Sequence, residues 1–276
     1  MVSCVVFSRL VIAAFALSLA SCSAGLLRGP PRDAADAYER AVQNLENGLY
    51  PEATQGFAQV KSKYPYSPYA VLADLRAADV QFRRGTFAEA VDAYREFLKL
   101  HPRHEDAPYA MLQIGESYFE QIPGDWWILP PPAEKDQAST RRAITAYRDM
   151  IARYPQEPLT AKAQTRLAQC RRKLADHELY VAQFYMRHEH YRAAASRAEG
   201  LLQEYPGLGL DSAALWVMAE SMKTLGDAPA ARDALERLVK DFAETPEGKR
   251  AAKMLEPTTN LQPRSSSPNA KTAGQG

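Results

Sequence analysis

His188 and His190, which flank Glu189, are the side chains best suited to hold a metal ion in this chain. Histidine and glutamate are common zinc ligands, but two ligands on one helix share a face only when they are three or four residues apart. Positions i and i+2 point to different sides of a helix. The fragment also takes the place of a turn in a repeating pattern, so we interpret it as a solvated turn.

The sequence contains none of the common catalytic signatures. There is no GxSxG turn, no HExxH zinc motif, no glycine-rich phosphate loop and no CxxC pair. His101 and His104 flank Pro102 and are expected to be capping or loop residues. We therefore expect that the protein is not an enzyme and binds no cofactor or metal ion.

Cys22 is the residue most clearly placed for covalent modification. The apolar run from Leu10 to Ala20 is too short to span a bilayer and is typical of a signal peptide. The small residues before Cys22 resemble the bacterial lipobox, in which cleavage exposes the cysteine for acylation, and several acyl chains anchor stably. Ser23 is not acidic, and this resemblance implies sorting to the outer membrane. The alternative is an ordinary signal peptide with an incidental cysteine.

Charge and cysteine content fit an envelope protein without a nucleic-acid partner. Removal of residues 1–21 deletes Arg9 from 34 basic side chains, which leaves 33 against 33 acidic ones. A net charge near zero offers no basic surface to nucleic acid. Cys170 would then have no internal disulfide partner, and we expect it to be buried in the apolar face of a helix.

Small residues recur at a fixed interval and define a repeat. Ala41, Ala78 and Gly115 lie 37 residues apart, as do Ala182 and Ala219. In a second series of alanines, each residue lies twelve positions before a proline: Ala53, Ala90, Ala143 and Ala194. A period in the thirties indicates stacked supersecondary units.

The pattern inside one unit predicts a helical hairpin. Leu75, Ala78 and Phe82 share one face of a helix, and Gly85 interrupts the pattern before a second helical face begins. Pro102 ends the unit, because proline and the residue before it leave the helical conformation. The sequence therefore predicts an all-α, tetratricopeptide-like solenoid of about five repeats.

Two insertions interrupt the repeats. About 16 extra residues lie between Phe119 and Arg141 and include Trp126 and Trp127, which we expect to cover the end of a lobe or to contact a partner or lipid. About 14 more lie between the third and fourth repeats, within residues 160–177, and are typical of a helix extended by about four turns. The extended helix would join two lobes.

The predicted divisions are a signal peptide (1–21), the acylated cysteine with a flexible linker (22–35), lobes at 36–158 (insertion at about 120–140) and 159–255, and a disordered tail (256–276).

Four segments resemble one family, the BamD lipoproteins of the β-barrel assembly machinery. They are YPYSPYA at 64–70, FLKLHPRH at 97–104, LADHELYVAQFY at 174–185 and RAEGLL at 197–202. The similarity runs from about residue 37 to residue 242 and includes both insertions. It implies a scaffold on the periplasmic face of the outer membrane that binds BamA, unfolded outer-membrane β-barrel proteins and other lipoproteins of the machinery.

The resemblance also suggests which residues bind. Tyr64, Tyr66 and Tyr69 offer aromatic faces to an extended substrate segment, although they could instead pack between repeats. Arg197 matches the family's arginine at the BamA contact, and Glu199 beside it completes the expected partner surface. The alternative for Arg197 is a solvated side chain or an internal pair with Glu199 or Glu204.

Two other functions fit parts of the sequence. One is a different envelope repeat lipoprotein, such as a secretin pilot protein, which would have uninterrupted repeats. The other is a periplasmic enzyme whose repeats carry a site, which would need converging titratable residues.

Overall fold

The computed structural model describes residues 29–124 and 132–256. Within these residues the secondary structure consists of eleven α-helices and one short 3-10 helix, without strands. The helices are α1 (Ala34–Glu46), α2 (Tyr50–Lys63), α3 (Pro68–Arg83), α4 (Phe87–Leu100), α5 (Ala107–Glu120), the 3-10 helix (Pro132–Glu134), α6 (Ala138–Arg153), α7 (Thr160–Arg187), α8 (Tyr191–Glu204), α9 (Asp211–Thr224), α10 (Ala228–Asp241) and α11 (Pro246–Leu255). The predicted all-α solenoid of helical hairpins is confirmed.

The chain divides into two compact units between Ser117 and Tyr118, near the end of α5. The sequence places its lobe boundary later, between residues 158 and 159. Helix α6 lies in the second unit, where it packs along α7. A hinge between two lobes remains a prediction.

In the first unit α1 packs against α2, α2 against α3 and α3 against α4, and α1 also packs against α3. The small residues of both series are buried here, including Ala41, Ala53, Ala78 and Ala90. At Gly56 the approach of α1 and α2 leaves no room for a side chain, because an added Cβ would lie 2.7 Å from the Cβ of Ala41. Small residues therefore set the spacing of the paired helices.

The hairpin turns share one backbone geometry. At Gly48 the amide donates to the carbonyl of Leu45, and the next amide donates to the carbonyl of Asn44, as in a Schellman motif. The same pairs of bonds close the turns at Gly85, Glu189 and Gly226. All four residues have positive φ, which glycine adopts without steric cost. The fragment at 188–190 is thus the predicted turn, with Glu189 (φ 63°) in a position suited to glycine.

A residue that precedes proline ends the second helix in four repeats. These residues have φ near −130° and ψ between 46° and 59°, outside the α region: Tyr64, His101, Tyr154 and Tyr205. Proline at the next position disfavours the α region for its predecessor. The prolines therefore act as the helix stops that the sequence predicts.

In the second unit α7 has 28 residues, whereas α8 has 14, which confirms the extended helix. Cys170 on α7 is fully buried, as expected. Helix α11 was not predicted, although Thr245 followed by Pro246 and Glu247 is a typical helix start. The Thr245 hydroxyl accepts a hydrogen bond from the amide of Gly248, and α11 packs against α9 and α10.

Candidate functional site

The three tyrosines predicted to bind substrate have different surroundings in the first unit. Tyr66 is 100% exposed. Tyr64 and Tyr69 are half-buried and pack against the core that α1, α2 and α3 share. The ring of Tyr69 lies 5.4 Å from the ring of Tyr38. Packing between repeats therefore accounts for Tyr64 and Tyr69, and Tyr66 alone presents its whole side chain to solvent.

A cleft of about 580 Å³ opens beside Tyr38 and is lined by residues of α1, α3 and α5. Aromatic and aliphatic side chains form part of its wall, and polar groups form the rest: Tyr38, Val42, Leu45, Glu46, Arg76, Asp79, Phe82, Arg83, Tyr109 and Gln113. We call it the α1–α3–α5 cleft. Apolar walls with a few fixed polar groups are typical of binding sites.

Asp79 is the polar centre of this cleft, and its side chain is only 7% exposed. Its carboxylate accepts hydrogen bonds from the hydroxyls of Tyr94 (2.6 Å) and Tyr109 (3.0 Å) and pairs with Nη1 of Arg76 (2.6 Å). Nε of Arg76 donates to the hydroxyl of Tyr38 at 3.3 Å. A buried carboxylate is stable only when it is paired and hydrogen-bonded, and Asp79 satisfies both conditions.

The environment of Asp79 changes the acidity of its neighbours. Burial and the negative charge of Asp79 raise the pKa of Tyr109 to about 12. The same two causes raise the pKa of Tyr94 further above its usual value. Burial opposes the charge of Arg76, but the hydrogen bonds to Asp79 and Tyr38 outweigh it and raise its pKa. The network therefore holds protonated phenols and a charged guanidinium at neutral pH.

The sequence analysis missed this network. Asp79 follows Ala78 directly on the packed face of α3, and Arg76 precedes it by three residues. A charged pair at i and i+3 beside a buried small residue was the available signal. Tyr109 lies 30 residues further along the chain, so its contact with Asp79 depends on how the helices pack.

The predicted partner-binding residues lie on α8 in the second unit. Nη1 of Arg197 is 3.0 Å from Oε2 of Glu178 on α7, and the Arg197 side chain is 49% exposed. The internal partner is therefore Glu178 and not Glu199 or Glu204. Glu199 is exposed and accepts a hydrogen bond from Nε2 of Gln203 at 3.3 Å.

Glu178 joins Arg197 to a second arginine. Nη2 of Arg141 on α6 lies 4.0 Å from Oε1 of Glu178, whose side chain is 16% exposed. We call these three residues the Glu178 cluster. Its two guanidinium groups are about half exposed and can still donate to an external carboxylate.

The profile of one protein family, YfiO, described as "Outer membrane lipoprotein", matches residues 30–238. The chain belongs to this family. The match covers both units up to α10 and so includes the α1–α3–α5 cleft and the Glu178 cluster.

Relatives with a common name support the membership. "Outer membrane protein assembly factor BamD" of Xylella fastidiosa (strain 9a5c) is 26% identical over 216 residues, which are 76% of this chain and 72% of the relative. The protein of that name from Caulobacter vibrioides is 26% identical over 68% of this chain and 59% of the relative. The protein of that name from Neisseria meningitidis serogroup A is 24% identical over 76% of this chain and 79% of the relative. The resemblance to the BamD family is confirmed.

Solved structures with lower similarity are helical-repeat proteins. The TPR2AB domain of yeast Sti1 in complex with pHSP90 has a TM-score of 0.43 and 9% identity, with 80% of this chain and 82% of that chain covered. PilW, a type IV pilus biogenesis factor, has a TM-score of 0.36 and 15% identity, with 81% and 100% covered.

Several predicted features of this family member lie outside the described residues, namely Cys22, Trp126 and Trp127. In the part of the chain that the structure describes, no helix is both long and apolar enough to cross a bilayer. Across residues 29–124 and 132–256, no group of three or more His, Cys, Asp or Glu side chains is arranged to bind a metal ion.

Proposed function

We propose that the protein is a non-catalytic scaffold of the outer membrane protein assembly machinery, acylated at Cys22 and anchored on the periplasmic face of the outer membrane. The observation that carries the proposal is the family match over residues 30–238, together with relatives named as outer membrane protein assembly factors. The 28-residue α7 interrupts the repeats and favours this function over a secretin pilot protein.

The second unit binds BamA through the Glu178 cluster and Glu199. A planar guanidinium has five N–H groups. In Arg197, Nη1 donates a hydrogen bond to the carboxylate of Glu178. Its remaining donors suit a bidentate bond to a carboxylate of the partner. Because Glu178 fixes the position of Arg197, the partner meets an arginine that has already lost much of its side-chain freedom.

The first unit binds unfolded outer-membrane proteins through the α1–α3–α5 cleft and the adjacent tyrosines. Aromatic walls suit the aromatic side chains of an extended segment, and the part-exposed Arg76 can donate hydrogen bonds to its backbone or carboxylate groups. Tyr69 connects the two features through its ring contact with Tyr38. Tyr66 and Tyr64 extend this surface along the connection between α2 and α3.

The proposal predicts that Arg197→Glu weakens the association with BamA at least about tenfold, because a repulsive charge replaces the donor. The measurement is the amount of BamA that co-purifies with the tagged chain from detergent-solubilised membranes. Arg237→Glu is the matched control, since Arg237 is an exposed residue on α10 of the same unit. Circular dichroism should show the same helix content for both variants. Equal recovery of BamA with Arg197→Glu and with the control would contradict the assignment.

A further inference from the structure

A second cleft lies in the second unit between α6, the middle of α7 and the end of α8. Its volume is about 360 Å³. Helix α6 contributes Arg141, Thr145 and Arg148, which share one helix face because they are four and three residues apart. Ile144 and Leu174, both nearly buried, form an apolar floor. We call this the α6 cleft.

The charges around the α6 cleft do not balance. Nitrogen atoms of Arg141 and Arg197 both lie within 4.0 Å of the Glu178 carboxylate, Arg148 and Glu204 line the cleft, and Nη2 of Arg171 donates to the backbone carbonyl of Glu204. Among these residues four guanidinium groups stand against two carboxylates, so positive charge is in excess. Within the part of the chain that the structure describes, Arg148 has neither an ion pair nor a hydrogen bond, and it is exposed. Arg148 therefore carries part of this excess charge without an internal partner.

Tyr205 shows that these groups form one electrostatic environment. It lines the α6 cleft at the end of α8. Burial and then the charges of Glu204 and Glu178 raise its pKa, whereas Arg141 lowers it. The α6 cleft and the Glu178 cluster are therefore neighbouring parts of a continuous surface on α6, α7 and α8.

We propose that the α6 cleft binds an acidic polypeptide segment of the same partner that docks at Arg197, with a carboxylate of that segment on Arg148. The inference rests on the proposed function, because the partner is the one assigned to Arg197. A carboxylate fits the fork of a guanidinium that has no internal partner, and the apolar floor accepts the aliphatic part of the segment. Arg148 is then a partner-binding residue beyond those that the sequence suggested.

The test is a titration of the periplasmic domains of BamA against the mature chain in detergent, with affinity measured by biolayer interferometry. We expect Arg148→Glu to weaken binding at least about tenfold at low salt. Arg142→Glu is the matched control, because Arg142 is exposed on the same helix, carries the same charge and does not line the cleft. The affinity of this control should be within about twofold of that of the unmodified chain, since residue 142 lies outside the proposed contact.

Two further measurements separate a carboxylate contact from a general charge effect. Arg148→Lys should weaken binding less than Arg148→Glu, because lysine keeps the charge and loses the bidentate geometry. The affinity of the unmodified chain should fall more steeply with added salt than that of Arg148→Glu, which has one fewer ion pair to screen.

The outcomes distinguish this inference from the proposed function. If Arg197→Glu loses BamA while Arg148→Glu binds as well as the Arg142→Glu control, the α6 cleft is not part of the interface and the inference is wrong. That result would hold against the inference even if the cleft bound another anion, such as a lipid phosphate. If neither Arg197→Glu nor Arg148→Glu changes the affinity, both the BamA contact and the inference are wrong.

Discussion

The two units each contain an arginine–carboxylate cluster, and the two clusters differ in burial. Asp79 in the first unit is 7% exposed and is surrounded by Arg76, Tyr94 and Tyr109. Glu178 in the second unit is bound by Arg141 and Arg197, both of which are about half exposed. Both partners are more exposed in the second unit, where the carboxylate is 16% exposed against 7% and the arginines are about half exposed against 34% for Arg76.

Burial decides what each cluster can do. Removal of one partner from a buried pair leaves an uncompensated charge in a medium of low polarity, so the Asp79 network holds α3, α4 and α5 in place. Exposed pairs contribute little to stability because water solvates the separated charges nearly as well. The arginines on Glu178 can therefore turn their remaining donors to an external carboxylate with little loss of stability. The comparison indicates a structural role for Asp79 and a binding role for the Glu178 cluster.

One hairpin turn of the second unit also differs from the hairpin turns of the first unit. The hairpin turns of the first unit place Gly48 and Gly85 at positive φ, whereas the turn between α7 and α8 places Glu189 there. A side chain in the left-handed region costs about 1 kcal/mol or more. The turn between α7 and α8, the helices that carry Glu178 and Arg197, therefore keeps some strain.

The largest change in stability should come from truncation of Asp79, and truncation of Glu178 is the comparison in the other unit. Asp79→Ala should lower the free energy of unfolding by about 3–5 kcal/mol, because it leaves Arg76 and two phenols without their common acceptor. Glu178→Ala should lower it by about 1 kcal/mol or less, since water solvates the arginines that remain. Urea unfolding followed by circular dichroism measures both changes. Similar losses in the two variants would remove the distinction between the clusters.

The pH dependence of stability tests the buried cluster alone. The pKa of Tyr109 is raised from 10.0 to about 12, so the folded protein keeps this proton at a pH where the unfolded chain loses it. The contribution of Tyr109 is complete below pH 10.0 and is lost as the pH rises toward about 12. Urea unfolding across this window should show a steeper loss of stability for the unmodified chain than for Tyr109→Phe. Parallel curves would show that Tyr109 titrates like a solvated phenol.

The smallest effect concerns the strained turn. Glu189→Gly should raise the free energy of unfolding by about 1 kcal/mol, because glycine relieves the left-handed conformation. Gly85→Ala is the matched substitution in the first unit and should lower the free energy by about the same amount. Thermal unfolding of the two variants measures both shifts. A destabilising Glu189→Gly would mean that the Glu189 side chain makes a stabilising contact that outweighs its strain.

Periodicity allowed the repeats to be predicted because it fixes which face of a helix is apolar. The buried alanines, the proline stops and the long α7 follow directly from spacing. The partner of Arg197 did not follow, since Glu178 lies 19 residues earlier on another helix and the contact depends on how α7 and α8 are rotated about their axes. The Asp79–Tyr109 bond was missed for the same reason. Long polar side chains meet through tertiary geometry, which a one-dimensional pattern does not encode.

In the proposed function the first unit contacts unfolded barrel proteins and the second unit contacts the assembly machinery. Site-specific photocrosslinking in cells tests it most directly, with the crosslinker placed in one experiment at Tyr66 and in another at Arg197. Both side chains are accessible, so failure to react cannot be attributed to burial. We expect adducts with unfolded outer-membrane proteins from position 66 and with BamA from position 197. The same adduct at both positions, or barrel proteins captured only from position 197, would contradict it.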